Sequence, residues 1–341
     1  MATGYIYDPI YLEHRTGEHP ERPERLMAIM DALRDEGALG LLTSIRPRDA
    51  TRDEVLAVHT AALIDRIEKV AHTGGGYLDP DTIVSPRSFD AALMAAGGAI
   101  AAVEAVMSGE VDAAMALVRP PGHHATPNRA MGFCLLNNVA VATKAAQNVH
   151  SLKRVLIVDF DVHHGNGTQG VFDADDSVLY FSTHEYPHYP GTGFYDETGT
   201  GMGRGCTVNI PLPAGVGDNG YERSFDEILV PTARRFAPEL IMVSAGYDGH
   251  WADPLAMMRL SVTGYGTLVS VLTSLARELC GGRLVLCLEG GYHLKALAYS
   301  VVATLSVLAG LPFKDPLGPA GGIEPDISSL LQTVRSVHKL G

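Results

Sequence analysis

Cysteine is scarce: Cys134, Cys206, Cys280 and Cys287 are the only four in 341 residues. None shows C-x-x-C spacing and most sit in apolar surroundings. That excludes a disulfide framework or a cysteine zinc site and points to a reducing cytoplasm. Basic residues are also few, 26 against 39 acidic ones, for a formal charge of −13. Phosphate binding needs basic surface, so nucleic acid is not expected as a direct partner. The charge suits a cationic substrate such as a lysine side chain or a polyamine, and equally the plain solubility of an acidic cytosolic protein. No apolar run reaches the ~18–20 residues that span a bilayer. The start, Met1-Ala2-Thr3-Gly4-Tyr5, lacks signal-peptide features, and no membrane partner is expected. Linkers, repeats and low-complexity stretches are missing too, so residues 1–341 read as a single domain. A homo-oligomer is compatible with all of this.

What is present is a regular alternation. Strand-like apolar runs occur at 114–118, 155–158, 178–181, 240–244 and 284–288. Helix-like stretches occur at 91–107, 138–148, 221–236, 266–279 and 294–308. This predicts parallel strands joined by helical crossovers, a doubly wound α/β sheet. Fully buried parallel strands read as continuous apolar runs, as these do. Polar clusters follow the strands: 119–125, 159–167, 182–193, 245–254 and 289–293. Ligands of open α/β sheets bind beyond the carboxyl ends of the strands. Five such loops, each with His, Asp or Tyr, are expected to converge on one pocket.

The segment Asp159-Phe160-Asp161-Val162-His163-His164-Gly165-Asn166-Gly167 carries the most information. In extended chain, alternate residues share a side, so Asp159, Asp161 and His163 leave the strand together. Carboxylate and imidazole in that proximity suit zinc. Arg119-Pro120-Pro121-Gly122-His123-His124-Ala125 supplies a second histidine pair, fit for metal ligation or for general acid and base work. Ser244-Ala245-Gly246-Tyr247-Asp248-Gly249 offers a third carboxylate. Asp253 competes with Asp248, but Pro254 beside it favours a turn role. Leu288-Glu289-Gly290-Gly291-Tyr292 ends the last strand with a tyrosine that two glycines can bring close to a ligand. The glycines at 199–205 lack nucleotide-loop spacing, Gly74-Gly75-Gly76 reads as a flexible turn, and Trp251, Met257 and Met258 read as core or pocket wall.

Taken in order, R-P-P-G-H-H-A, D-x-D-x-H-H-G-N-G, S-A-G-Y-D and L-E-G-G-Y resemble the histone deacetylase superfamily. The likeness runs from about His19 to Leu308, and Glu289 and Asn166 resemble its class II type. It implies the arginase-like fold: three layers around a mainly parallel central sheet. It also implies a zinc ion held by Asp161, His163 and Asp248, with open positions for water and a carbonyl. His124, backed by Asn166, becomes the candidate general base. His123, backed by Asp159, becomes the protonated partner, and Tyr292 the oxyanion donor. A structural potassium is implied near Asp159, Asp161, His163, Ser182 and Thr183. Phe133, after Gly132, resembles one aromatic wall of an acyl-lysine tunnel, with Tyr189 as the other, and Arg25 is expected to face an acetate-exit cavity.

The likeness implies acyl-lysine peptide or protein, or an acetylated polyamine, as substrate. Some polyamine-specific relatives carry a Glu just after the Asp-Pro that follows the third zinc ligand. Leu255 stands there in this chain, which favours the lysine type, although Glu13, Glu18, Asp79 and Asp81 could serve an ammonium. A catalytically silent acyl-lysine binding module would lack a ligand or the tyrosine, and neither is missing.

Overall fold

The computed structural model describes residues 2–340. Its main sheet contains eight strands: β1 (Thr3–Ile6), β2 (Thr43–Ile45), β5 (Ala113–Ala116), β6 (Val155–Asp159), β7 (Val178–Glu185), β8 (Thr207–Leu212), β9 (Leu240–Ala245) and β10 (Leu284–Leu288). Their spatial order is β2-β1-β5-β10-β9-β6-β7-β8, and every pair is parallel. A separate antiparallel hairpin joins β3 (Gly76–Asp79) to β4 (Thr82–Val84). The α/β architecture is the one expected from the alternating runs.

Two sets of helices cover the sheet. Ser88–Ser108 packs on Asn138–His150, while Leu294–Ala309 packs on both Glu24–Asp35 and Val262–Cys280. The core lies between these helices and β5, β6, β9 and β10, whose residues are buried throughout. Burial on both faces is why those strands are continuous apolar runs.

Several elements differ from expectation. Short strands β1 and β2, the interrupted strand β8 and helices Glu24–Asp35, Ala61–His72 and Asn166–Phe172 had no strong sequence signal. Strand β7 extends to Glu185, so Ser182 and Thr183 are buried strand residues rather than loop residues. Helix Ser88–Ser108 is long and apolar enough to cross a membrane by length and composition, contrary to the expectation, but most of it is buried in the protein. Trp251 is 40% exposed and donates from Nε1 to Gly318 O, and Met257 is exposed while Met258 is buried. Gly74 and Gly75 take positive φ and turn the chain into β3, so the flexible turn is a tight one.

Candidate active site

Register brings the chemistry to one edge. Asp159 ends β6, flanked by Ser182 of β7 and Ser244 of β9. The loops after β5, β6, β7, β9 and β10 then deliver His123 and His124, Asp161 and His163, His188 and Tyr189, Asp248 and Leu255, and Tyr292. Residues from all five meet around one cavity of about 200 Å³ or directly beneath it.

Asp161, His163 and Asp248 form a buried group whose ligating atoms lie within 4.8 Å of one another. His163 Nδ1 is 3.2 Å from Asp161 Oδ1 and 3.2 Å from Asp248 Oδ2. Asp161 Oδ2 accepts from Gly290 N and Asp248 Oδ1 from Val162 N. Asp248 Oδ2 is buried and makes no hydrogen bond, with His163 Nδ1 facing it at ion-pair distance. A carboxylate oxygen in such a place is costly unless a positive charge completes it. Burial would depress the pKa of His163, but Asp161 and Asp248 outweigh it and raise the pKa to about 10. The imidazole thus sits where positive charge is strongly favoured, and the donor set fits a metal ion such as zinc.

The two neighbouring histidines are polarised in opposite directions. His123 Nδ1 is 3.1 Å from Asp159 Oδ2, which Tyr180 Oη also contacts, and His123 Nε2 is 3.7 Å from Asp161 Oδ1. Burial disfavours its charge, yet Asp161 and Asp159 raise its pKa to about 10. His124 Nδ1 instead faces Asn166 Oδ1 at 2.9 Å. Burial, then His123 and His163, push its pKa well below the ordinary value. Burial and the charged His123 thus favour an uncharged His124, which the contact with Asn166 offsets only in part.

Gly132, Phe133, Tyr189, Leu255 and Tyr292 all line the cavity, as do Asp81 and His188. The His124 ring meets Tyr189 edge-on at 5.0 Å, and Phe133 meets Tyr292 edge-on at 5.8 Å. A side chain on Gly132 would run into the His124 ring, its Cβ only 2.5 Å from Cδ2. Burial keeps the Tyr292 phenol protonated, its pKa well above the ordinary value.

Several site residues are held by contacts that the sequence did not show. Asp81 reaches the cavity from the turn between β3 and β4. Glu289 Oε2 accepts from the backbone N–H groups of Gly122 and His123, bracing the histidine loop. Arg25 is fully buried below the Tyr292 loop, donating to the carbonyls of Gly291 and Glu289 and to Glu21. Ser182 Oγ is engaged by His184 Nδ1 at 2.9 Å, and Thr183 Oγ1 is buried without a partner. The family resemblance pointed to Arg25 but not to its partner Glu21. Asp81 was legible only as one of four acids that could serve an ammonium, and His188 had no local signal beyond its residue type.

The family description "Histone deacetylase domain" matches residues 19–308. A probable deacetylase from Archaeoglobus fulgidus is 44% identical over 314 residues, which cover 91% of this chain and 87% of the relative. A histone deacetylase-like amidohydrolase from Pseudomonas aeruginosa is 37% identical, with 92% and 82% covered. A human polyamine deacetylase, HDAC10, is 40% identical over 93% of this chain and 48% of its own length. The crystal structure of the HDA15 HD domain superposes with a TM-score of 0.88 at 38% identity, covering 99% of this chain and 94% of that one. On this evidence the chain belongs to the histone deacetylase family, hydrolases that act on amides.

Proposed function

We propose that this protein is a zinc-dependent deacylase that removes acetyl or another acyl group from lysine side chains of peptides or proteins. The observation that carries this reading is the buried group Asp161, His163 and Asp248, with Asp248 Oδ2 making no hydrogen bond, at the floor of an aromatic-walled cavity. Asp161, His163 and Asp248 would hold the zinc, which when bound acidifies water and polarises a carbonyl. His124 is the base: neutral at Nε2, held by Asn166 through Nδ1, it takes the proton of the attacking water. His123, kept charged by Asp159, steadies negative charge and supplies a proton to the departing amine. Tyr292 donates its phenol to the oxyanion. Gly132, Phe133, Tyr189 and Leu255 exclude water from the aliphatic stem of the substrate. A structural potassium near Asp159, Asp161, His163, Ser182 and Thr183 belongs to the same proposal and rests on the family likeness.

Leu255, an apolar residue in the cavity wall, supports lysine over a polyamine. Asp81, also in the wall, favours the second reading, an acetylpolyamine amidohydrolase, because its carboxylate could hold a distal ammonium. A silent binding module would have no use for two oppositely polarised histidines. We take the chain as one domain, since a single eight-stranded sheet spans it, and place it in a reducing cytoplasm on the strength of four free cysteines. Zinc-loaded protein should be given an acetyl-lysine peptide and acetylspermidine side by side. Faster acetate release from the peptide supports the lysine reading and the reverse ratio the polyamine reading. Release from neither refutes a deacetylase.

A further inference from the structure

The loop that carries Tyr292 is loose by composition. Strand β10 ends at Leu288, and Gly290 and Gly291 follow, the latter at φ +120°. A phenol that must meet a developing oxyanion cannot be left to such a loop. From below, Arg25 holds the carbonyls of Glu289 and Gly291, with its guanidinium 5.0 Å from the Tyr292 ring centre. The backbone N–H groups are held by a different residue. Asp253, 6% exposed, accepts from Tyr292 N at 2.6 Å and from His293 N at 3.0 Å through Oδ2. Its other oxygen, Oδ1, accepts from Leu255 N at 3.0 Å.

An ordinary turn residue beside proline needs only the bond to Leu255. Spending the second oxygen on two donors 39 and 40 residues away is not explained by the turn. Three backbone donors on two buried oxygens hold the side chain in one place, because a buried donor left without its acceptor is costly. One carboxylate thereby ties the loop of Tyr292 to the loop of Leu255, both of which line the cavity. We propose that Asp253 is a positioning residue that fixes the Tyr292 hydroxyl against the substrate carbonyl and sets the Leu255 wall relative to it. This rests on the reading of Tyr292 as the oxyanion donor. Asp253 itself touches no reacting atom.

The test is a two-by-two set: wild type, Asp253→Asn, Tyr292→Phe and the double variant, each loaded with zinc and assayed on an acetyl-lysine peptide. Asparagine keeps the shape, but one of its two ends becomes an amide donor facing a backbone N–H. A misplacement of about an ångström costs on the order of 10²-fold, so kcat of Asp253→Asn should fall roughly 10- to 100-fold. KM should change by less than about threefold and zinc content should stay at the wild-type value. In the Tyr292→Phe background the same change should cost under about threefold, because the group being positioned is gone. Asp253→Ser, which removes the carboxylate without adding bulk, should behave alike if Asn fails to fold. Wild-type kcat in Asp253→Asn, or a fully additive loss in the double variant, would overturn the proposal. Full turnover by Tyr292→Phe alone would instead remove the oxyanion role, and the proposal with it.

Discussion

Gly290→Ala should empty the metal centre without unfolding the protein. Gly290 lies outside the left-handed region, so alanine imposes no backbone strain, but its methyl carbon would stand 2.1 Å from Asp248 Oδ2 and 2.6 Å from Asp161 Oδ2. Real contacts to such a carbon essentially never fall under 3.0 Å. The Asp248 carboxylate must therefore retreat by about 0.9 Å, beyond the roughly 0.5 Å that a working site tolerates, while that of Asp161 need shift by only about 0.4 Å. Zinc–oxygen bonds are about 2.0–2.2 Å long, so both ligands cannot bind together at full strength. Loss of an outer partner of a ligand already costs 10–100-fold in affinity. Displacing the Asp248 ligand directly should cost at least roughly 10²-fold, about 2.7 kcal/mol. Competition against a chromophoric chelator measures this, with far-ultraviolet circular dichroism to confirm the fold. Zinc affinity within threefold of wild type, with normal turnover, would refute the reasoning. Gly246→Ala, whose methyl would lie 1.9 Å from Asp161 Oδ2, should fail in the same way.

Asp159→Asn should move the alkaline limb of kcat/KM to lower pH. His123 owes its raised pKa to Asp161 and Asp159, so removing one anion lowers it by roughly 1–3 units; an unmoved limb in the zinc-loaded variant would separate His123 from that limb. Tyr292→Phe should retain zinc and lose roughly 10²-fold or more in turnover, the scale of a lost oxyanion donor, read from steady-state kinetics beside metal analysis. Glu21→Gln should destabilise the fold by roughly 3–5 kcal/mol. It leaves Arg119, paired through Nε at 2.5 Å and Nη2 at 2.7 Å, and Arg25 at 3.1 Å as uncompensated buried cations. An unchanged denaturation midpoint would show that these cations find other partners.

Much of the site was legible because its residues bear the chemistry and follow strands that burial makes apolar. Val155–Asp159 announces itself, and Asp161 and His163 come with it. Strand β8 hides because Asn209 and Pro211 interrupt it, although both are buried. The end of β7 hides because Ser182, Thr183 and His184 are polar; the structure satisfies His184 through Ser182 Oγ and Gly193 O. Strands β1 and β2 are too short to carry a period. Asp253 could be read only as a turn residue or a rival to Asp248, since its second partner lies across the fold at Tyr292. Asp81 depends on a hairpin whose position against the cavity no local pattern specifies. Residues that act through backbone contacts between distant loops leave no spacing to recognise.

The central claim is that one zinc ion at Asp161, His163 and Asp248 supports amide hydrolysis. The direct measurement is titration of chelator-stripped protein with zinc while acetate release from an acetyl-lysine peptide is followed. Activity should start near zero and rise linearly to a plateau at one zinc per chain, and Asp248→Asn should show no such rise. Full activity in the stripped protein, or none at one bound zinc per chain, would contradict the account.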